Sequence, residues 1–320
     1  MLEITSTPLV IMAILGTVGI LLPIISIARK EQGSNSFYAI IAFSALIVSM
    51  GYVGYQFIED NVSASALFSE DVVVDDAFGG FFAIAMLIVA LFTTVGSFNY
   101  MRKHNSPAVY YSLILLATIG MVLVAYSTDL VMLFVAWELM SIPTYILAGY
   151  NKKDPSSNEA AIKYFLFGAL SSGIIIYGIS LAYGITGSTN IGDVIYGFSN
   201  LSPDMLPLGL LAIGMFIAGF GFKLSAAPFQ MWVPDVYEGG PTPVVGFLSV
   251  ASKAAAFAVV IRVFFTGFFD VALDWGILIA GIAAASMVIG NLVAIRQSNI
   301  RRLFGYSTIS HAGYILVGVA

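Results

Sequence analysis

Cysteine is absent from all 320 residues, which excludes structural disulfides, thiol nucleophiles and thiolate-bound iron–sulfur clusters within this chain. Histidine is almost as scarce. His104 and His311 are too few and too scattered to build an imidazole metal site. Neither G-x-G-x-x-G nor G-x-x-x-x-G-K-[ST] occurs, so nucleotide chemistry has no loop to occupy. Charge is thin as well: 10% of residues are charged, against about 25% in soluble domains.

Apolar residues fill the space, at 59% of the chain with a mean hydropathy of +0.95. Long apolar runs between short polar connectors predict an all-α polytopic membrane protein. Ten hydrophobic segments can be counted, near 8–28, 37–58, 77–99, 107–126, 129–150, 160–185, 205–227, 242–265, 274–295 and 303–320. The first has no basic residues before it, and Arg29 and Lys30 follow it, so it is a retained helix and not a signal peptide. The lipid bilayer is therefore one partner. The net charge of −5 is concentrated on one side of the membrane, and nucleic acid is excluded as another.

Orientation follows from the connectors. With the N-terminus outside, the inner loops receive Arg29, Lys30, Arg102, Lys103, Lys152, Lys153, Arg296, Arg301 and Arg302. The outer loops receive Glu59, Asp60, Glu70, Asp71, Asp75, Asp76, Asp193 and Asp204, with no lysine or arginine. That asymmetry obeys the positive-inside rule. His104 falls in a basic inner loop and reads as plain surface. Arg262, near the outer end of the eighth segment, dissents, and snorkelling toward Asp270 or Asp274 is the simplest account of it. The last segment ends at Ala320 without a polar anchor, and the chain reads as incomplete there.

Glu138, Lys163, Lys223 and Lys253 are left over, since no loop accounts for them. At roughly 3 kcal/mol each, they would cost about 10 kcal/mol facing lipid. They must face one another, water or the bundle interior. The stretch from Gly219 to Val263 holds two of them, on helices joined by a proline-rich turn. Pro228 has no N–H, so the carbonyl of Leu224 loses its helical donor one residue past Lys223. Non-helical backbone at membrane depth survives only within protein or beside a water-filled cavity. Half of a proton path is what these features predict, with a lysine snorkelling to the inner surface as the plainer alternative.

Lys253, in FLSVASKAAAF, lies about 15 Å from Thr242 along the helix, among small residues that permit close helix approach. Glu138, nine residues past Asp129, is about 13 Å into its segment. Pro143 frees the carbonyl of Leu139 beside it; a protonated structural glutamate is the alternative. Lys163 is more ambiguous. Ser156 and Glu159 resemble a capping box, which would put Lys163 two turns into its helix with Glu159 as an i, i+4 partner. A salt bridge explains it almost as well as proton transfer. His311, in YSTISHAGY, is either a relay or an inter-helix hydrogen-bonder. The many Phe and Tyr residues read as packing and interface belts.

Four runs carry a resemblance: VAWELMSIPTYILAGY, EAAIKYFLFGALSSGIIIYGISLAYGITGS, GFKLSAAPFQMWVPDVYEGGPTPVVGFLSVASKAAAFAVVIRVF and IRRLFGYSTISHAGYILVG. From about residue 107 onward the chain resembles the antiporter-like proton-translocating subunits of complex I, above all the subunit N family of NADH-quinone oxidoreductases. The KLSAAPF and WVPDVYEG runs are the most specific part. The resemblance implies a bundle of inverted five-helix repeats: residues 1–106 an N-terminal three-helix segment, 107–265 a first repeat with a discontinuous seventh helix, and 266–320 the start of a second. It implies proton transfer through Glu138, Lys223, Lys253, Lys163 and His311. It also implies neighbouring antiporter-like and small helical subunits as partners, and a prokaryotic cell membrane more than a mitochondrial one. No cofactor is expected in this chain; NAD, FMN, iron–sulfur clusters and quinone are expected in partner subunits. Relatives commonly carry histidine where Gln230 stands, and glutamine can orient water but cannot titrate.

The implied switch has a magnitude. A carboxylate about 7 Å from an ammonium, at an effective dielectric near 20, interacts with it by about 2.4 kcal/mol. Moving Glu138 toward or away from Lys223 would thus set whether the lysine holds or passes its proton. Rival readings keep the fold and change the partner: F420H2 dehydrogenases, membrane-bound hydrogenases and multisubunit sodium/proton antiporters. A non-pumping scaffold and a stand-alone substrate transporter are the rivals from other classes.

Overall fold

The computed structural model describes residues 6–29, 34–58, 72–102, 106–265 and 275–320. Its elements are α-helices: α1 (Thr7–Ala28), α2 (Asn35–Ile58), α3 (Ala77–Met101), α4 (Pro107–Tyr126), α5 (Leu130–Ala148), α6 (Pro155–Thr186), α7 (Ile191–Ser199), α8 (Leu206–Leu224), α9 (Val233–Gly239), α10 (Thr242–Phe247), α11 (Lys253–Val260), α12 (Trp275–Ile295) and α13 (Ile300–Val317). Extended pairing among the described residues is limited to two isolated bridges, Val73 with Ser127 and Asp129 with Asn190. With no water in a bilayer core to satisfy peptide groups, helices that bond internally are the expected solution.

Nine helical stretches among the described residues are long and apolar enough to cross a membrane, counting α10 through α11 as one, Thr242–Phe264. The tenth expected span, α13, has 18 residues but carries Arg301, Arg302 and His311, and it packs against α12 and α9. The protein is an integral multi-pass membrane protein. The helix α4 forms the axis of the bundle, buried along most of its length and touching α1, α3, α5 and α11. Glycines bring the helices close. A Cβ on Gly120 would run into the backbone of Met140 on α5, and one on Gly290 into Ser310 on α13.

Side-chain caps begin several helices. Asp76 accepts from Gly79 N at 2.7 Å, Asp129 from Val131 and Met132 N, and Asn299 from Arg301 N, each satisfying a first-turn donor. For α6 the expected capping box is corrected. Asp154 is the N-cap, accepting from Ser156 N at 3.0 Å, and Pro155 opens the helix. Proline suits that position because its missing N–H would have no helical partner there. The helix therefore starts five residues before the expected 160, and Lys163 is its ninth residue.

Two elements were expected as mere connectors. The segment after α6 forms α7, capped by Asn190, and the proline-rich turn contains α9. Each is too short to leave a membrane-length signature. Arg262 is a further correction. It does not snorkel outward: its guanidinium pairs with the α3 cap Asp76 at 3.0 Å and donates to Ala125 O at 2.7 Å, with Phe78 beneath it. Its own desolvation explains this, since arginine cannot shed its charge and needs a counter-ion once buried. Asp270 and Asp274, along with Lys30, Glu59, Asp60, Glu70, Asp71, Lys103 and His104, lie outside the described residues.

Candidate functional site

The expected breaker acts where the sequence puts it. The helix α8 stops at Leu224, and Ser225 turns into the left-handed region at φ 63°, its N–H capping Gly221 and Phe222 carbonyls. One residue before that stop, Lys223 is 1% exposed. Its Nζ donates to Ser141 Oγ of α5 at 3.1 Å and to Tyr164 OH of α6 at 3.0 Å. The rings of Tyr145 and Tyr164 stand 5.5 and 5.2 Å from the ammonium, within cation–π range. Among the described residues, no carboxylate forms an ion pair with it.

Glu138 sits one turn from Ser141 on α5, half-buried, and its Oε1 accepts from Ser172 Oγ of α6. It shares α5 with Ser141, the hydroxyl that Lys223 bonds. The acid and the amine are therefore neighbours, each held by its own hydroxyl partners. Residues 164, 168 and 172 recur at four-residue spacing and share one face of α6. Gly168 leaves the room that Tyr145 occupies.

Lys253 opens α11 directly after a π-helical turn, Leu248–Ser252. Two serine hydroxyls bond back to carbonyls there, Ser249 to Gly246 at 2.8 Å and Ser252 to Leu248 at 2.8 Å, which loosens a helical ladder. The buried Lys253 Nζ donates to the carbonyl of Thr308 on α13 at 3.0 Å. A cavity of about 320 Å³ adjoins it, lined by Ser249, Thr308, Ser307, Tyr237, Arg301 and His311 among others. His311 Nδ1 lies 2.7 Å from Ser307 O, and a carbonyl can only accept, so Nδ1 is the donor of that bond. Toward the other end of α11, Ala255 to Val260 are all buried and apolar. The cavity thus meets the carbonyl-bearing residue that holds Lys253, Thr308, while the rest of α11 packs dry.

The element α9 joins the two lysine sites. Trp232, just before it, stacks on Tyr164 with centroids 4.5 Å apart and rings 14° from parallel. Tyr237 OH reaches Thr308 Oγ1 at 3.3 Å. Burial pushes the Tyr237 phenol up, so at neutral pH it acts as an uncharged donor and acceptor. Gln230, between Lys223 and α9, keeps a buried Oε1 with no hydrogen-bond partner.

Lys163 is not gathered with the others. Its side chain is 38% exposed and pairs with Glu159 and Asp235, both at 2.6 Å. Arg302 completes the group, 2.8 Å from Asp235 and from Glu238. Burial alone would raise the Asp235 carboxyl, but hydrogen bonds from Lys163 and Arg302 hold it below the usual carboxylate range. The salt bridge is thus the reading of Lys163 that the geometry favours. Sequence reasoning missed Tyr164, Ser141, Ser172 and Thr308 altogether. Uncharged side chains raise no alarm in an apolar segment, and helical spacing from the charged residues was the one signal available. Among the described residues, no group of three or more His, Asp or Glu side chains could hold a metal ion.

Residues 127–320 match the family described as NADH:quinone oxidoreductase/Mrp antiporter, TM. The NADH-quinone oxidoreductase subunit N of Desulfitobacterium hafniense is 41% identical over 317 residues, covering 97% of this chain and 61% of that protein. The corresponding protein of Moorella thermoacetica is 48% identical over 247 residues, covering 77% of this chain and 52% of that one. Among solved structures, a chain of the respiratory complex I from Thermus thermophilus with bound aureothin superposes with a TM-score of 0.77 at 33% identity. That superposition covers 96% of this chain and 63% of the other. The chain spans about three fifths of the length of the first of these relatives.

Proposed function

Since the chain belongs to the NADH:quinone oxidoreductase/Mrp antiporter membrane family, we propose that it moves protons in the membrane arm of a complex I-type NADH-quinone oxidoreductase. The observation that carries this reading is a pair of buried lysines, Lys223 and Lys253, each beside a break in helical regularity and each hydrogen-bonded to uncharged groups. A lysine fixed on a carboxylate keeps its proton; one resting on hydroxyls and a carbonyl can exchange it.

In this reading protons enter from the basic, inner end through the cavity beside His311 and Ser307 and reach Lys253. Lys223 exchanges with Lys253 along the α9 side, where Tyr164, Trp232, Tyr237 and Thr308 link the two positions. Water held by the unpartnered Gln230 Oε1 could carry the step that a histidine would otherwise carry. Glu138, by leaving Ser172 and closing on Lys223, sets when the lysine holds its charge. Residues 107–265 act as the first repeat and 266–320 as the opening of the second. Redox chemistry, with its NAD, FMN, iron–sulfur clusters and quinone, belongs to partner subunits, and the neighbours in the membrane are further helical subunits. The N-terminus lies outside a prokaryotic cell membrane.

The deciding experiment replaces Lys223 with alanine in the assembled complex, reconstituted in proteoliposomes. Protons moved per NADH oxidised should fall while quinone reduction continues; an undiminished ratio would refute the assignment.

A further inference from the structure

Lys223 has two hydroxyl partners, and one of them is built with unusual rigidity. Tyr164 is fully buried. Its ring is stacked on Trp232, and Tyr145 meets it edge-on at 4.7 Å. Trp232 is itself anchored, its Nε1 donating to Phe222 O at 3.0 Å. The phenol oxygen therefore has one place to be, 3.0 Å from Lys223 Nζ and 3.4 Å from Thr144 Oγ1.

On α5 the acid and the amine's other partner are three residues apart, about 4.5 Å of helix rise from Glu138 to Ser141. A flexible four-carbon lysine stem spans such a gap by rotation. Glu138 is meanwhile occupied by Ser172. Two rungs cross between α5 and α6: Glu138 with Ser172, and Ser141 with Lys223 and Tyr164. Each of the two is held by neutral partners instead of by the other: Ser172 on Glu138, and Ser141 with Tyr164 on Lys223.

We infer that Tyr164 is a positioning residue, whose fixed hydroxyl holds the Lys223 ammonium off Glu138 and so keeps the pair poised to change state. Its role rests on the proton-transfer reading of Lys223. Phenylalanine at 164 keeps the aromatic stack and removes one charge-assisted hydrogen bond, a perturbation of roughly tenfold in an equilibrium. The lysine should then lean on Glu138 and hold its proton longer.

The test is Tyr164→Phe in the assembled, reconstituted complex. Redox-driven proton movement is followed from pH 6 to 9, and a high-resolution map is obtained of the same preparation. Proton movement should slow by roughly tenfold, its optimum should move to higher pH, and Lys223 Nζ should come within ion-pair distance of Glu138. An unmoved pH optimum with Nζ still on Ser141 would overturn the inference, whatever the rate. Should the variant fail to assemble, Ser141→Ala removes the other hydroxyl and must give the same upward shift. Lys223→Ala separates the two levels: normal pumping by it sinks the proton-transfer reading, whereas lost pumping beside an unaffected Tyr164→Phe sinks the positioning role of Tyr164 alone.

Discussion

Arg262 and Lys223 are both cations sealed from solvent, at 2% and 1% exposure, yet they are housed on opposite terms. Arg262 is clamped to Asp76 and to the Ala125 carbonyl at the acidic end of the bundle. Lys223 rests on two hydroxyls and two aromatic faces, while Glu138, one turn along α5 from its partner Ser141, is otherwise engaged. A guanidinium cannot discard its proton within the protein range, so its burial demands a permanent counter-charge. An amine can. The comparison separates a charge that fastens helices together from one that can come and go. Lys163 supplies a third case: at 38% exposure it touches two carboxylates, an ion pair at the edge of the bundle.

The sharpest break of that contrast is Arg262→Leu, which leaves Asp76 buried and unpaired. Removing one partner of a buried pair costs about 3–5 kcal/mol, and urea unfolding in detergent should register it as a lowered midpoint. Arg262→Leu with Asp76→Asn, which drops the charge and keeps an oxygen to cap Gly79 N, should recover most of the loss; if it does not, Arg262 has a role beyond fastening. Lys253→Met keeps bulk and removes the amine, and should lower the rate of redox-driven proton movement at least tenfold with the complex still assembled. Retained pumping would place Lys253 with Arg262 as a structural cation. Asp235→Asn loosens the joint between α6, α9 and α13, and a loss of about 1–2 kcal/mol is expected in the same unfolding assay.

Asp235 also gives the contrast a pH axis. Its carboxyl is held below the usual range in the folded chain, so the folded state binds its proton less readily than the unfolded one. The stabilisation is whole above the ordinary carboxylate value of about 3.9 and is lost as pH falls through the lower, folded value. Acid unfolding of the wild-type chain should show that step, and Asp235→Asn should lack it. The smallest effect belongs to Lys163→Ala. An exposed pair contributes about 0–1 kcal/mol, and pumping should persist. A pumping defect as deep as that of Lys253→Met would return Lys163 to the proton path.

Lys163 and Tyr164 show how far the sequence could be read. They are adjacent in the chain and roughly 100° apart around α6. The charged one drew attention and faces the ion-pair network; the phenol beside it, one Tyr among sixteen, touches Lys223. Glu138, Lys223 and Lys253 were legible because a charge in an apolar segment is costly wherever it points. Their hydroxyl partners were not, since serine and tyrosine are common in such segments and cost little. The α8 stop was equally plain from Pro228, while α9 was hidden because seven residues between proline and glycine have no periodic signature.

The amino-acid order alone determined a helical membrane bundle, the asymmetry of its two ends, and the few positions where a charge had to be accommodated. Those follow from water-to-hydrocarbon transfer, which acts on each residue wherever its neighbours lie. Who accommodates each charge was decided by the fold. Asp76 lies 186 positions from Arg262, and Tyr164 lies 59 from Lys223. Hydrogen bonds and ion pairs act over a few ångströms, so they belong to whichever helices the packing of α4, α5, α6 and α8 brings side by side.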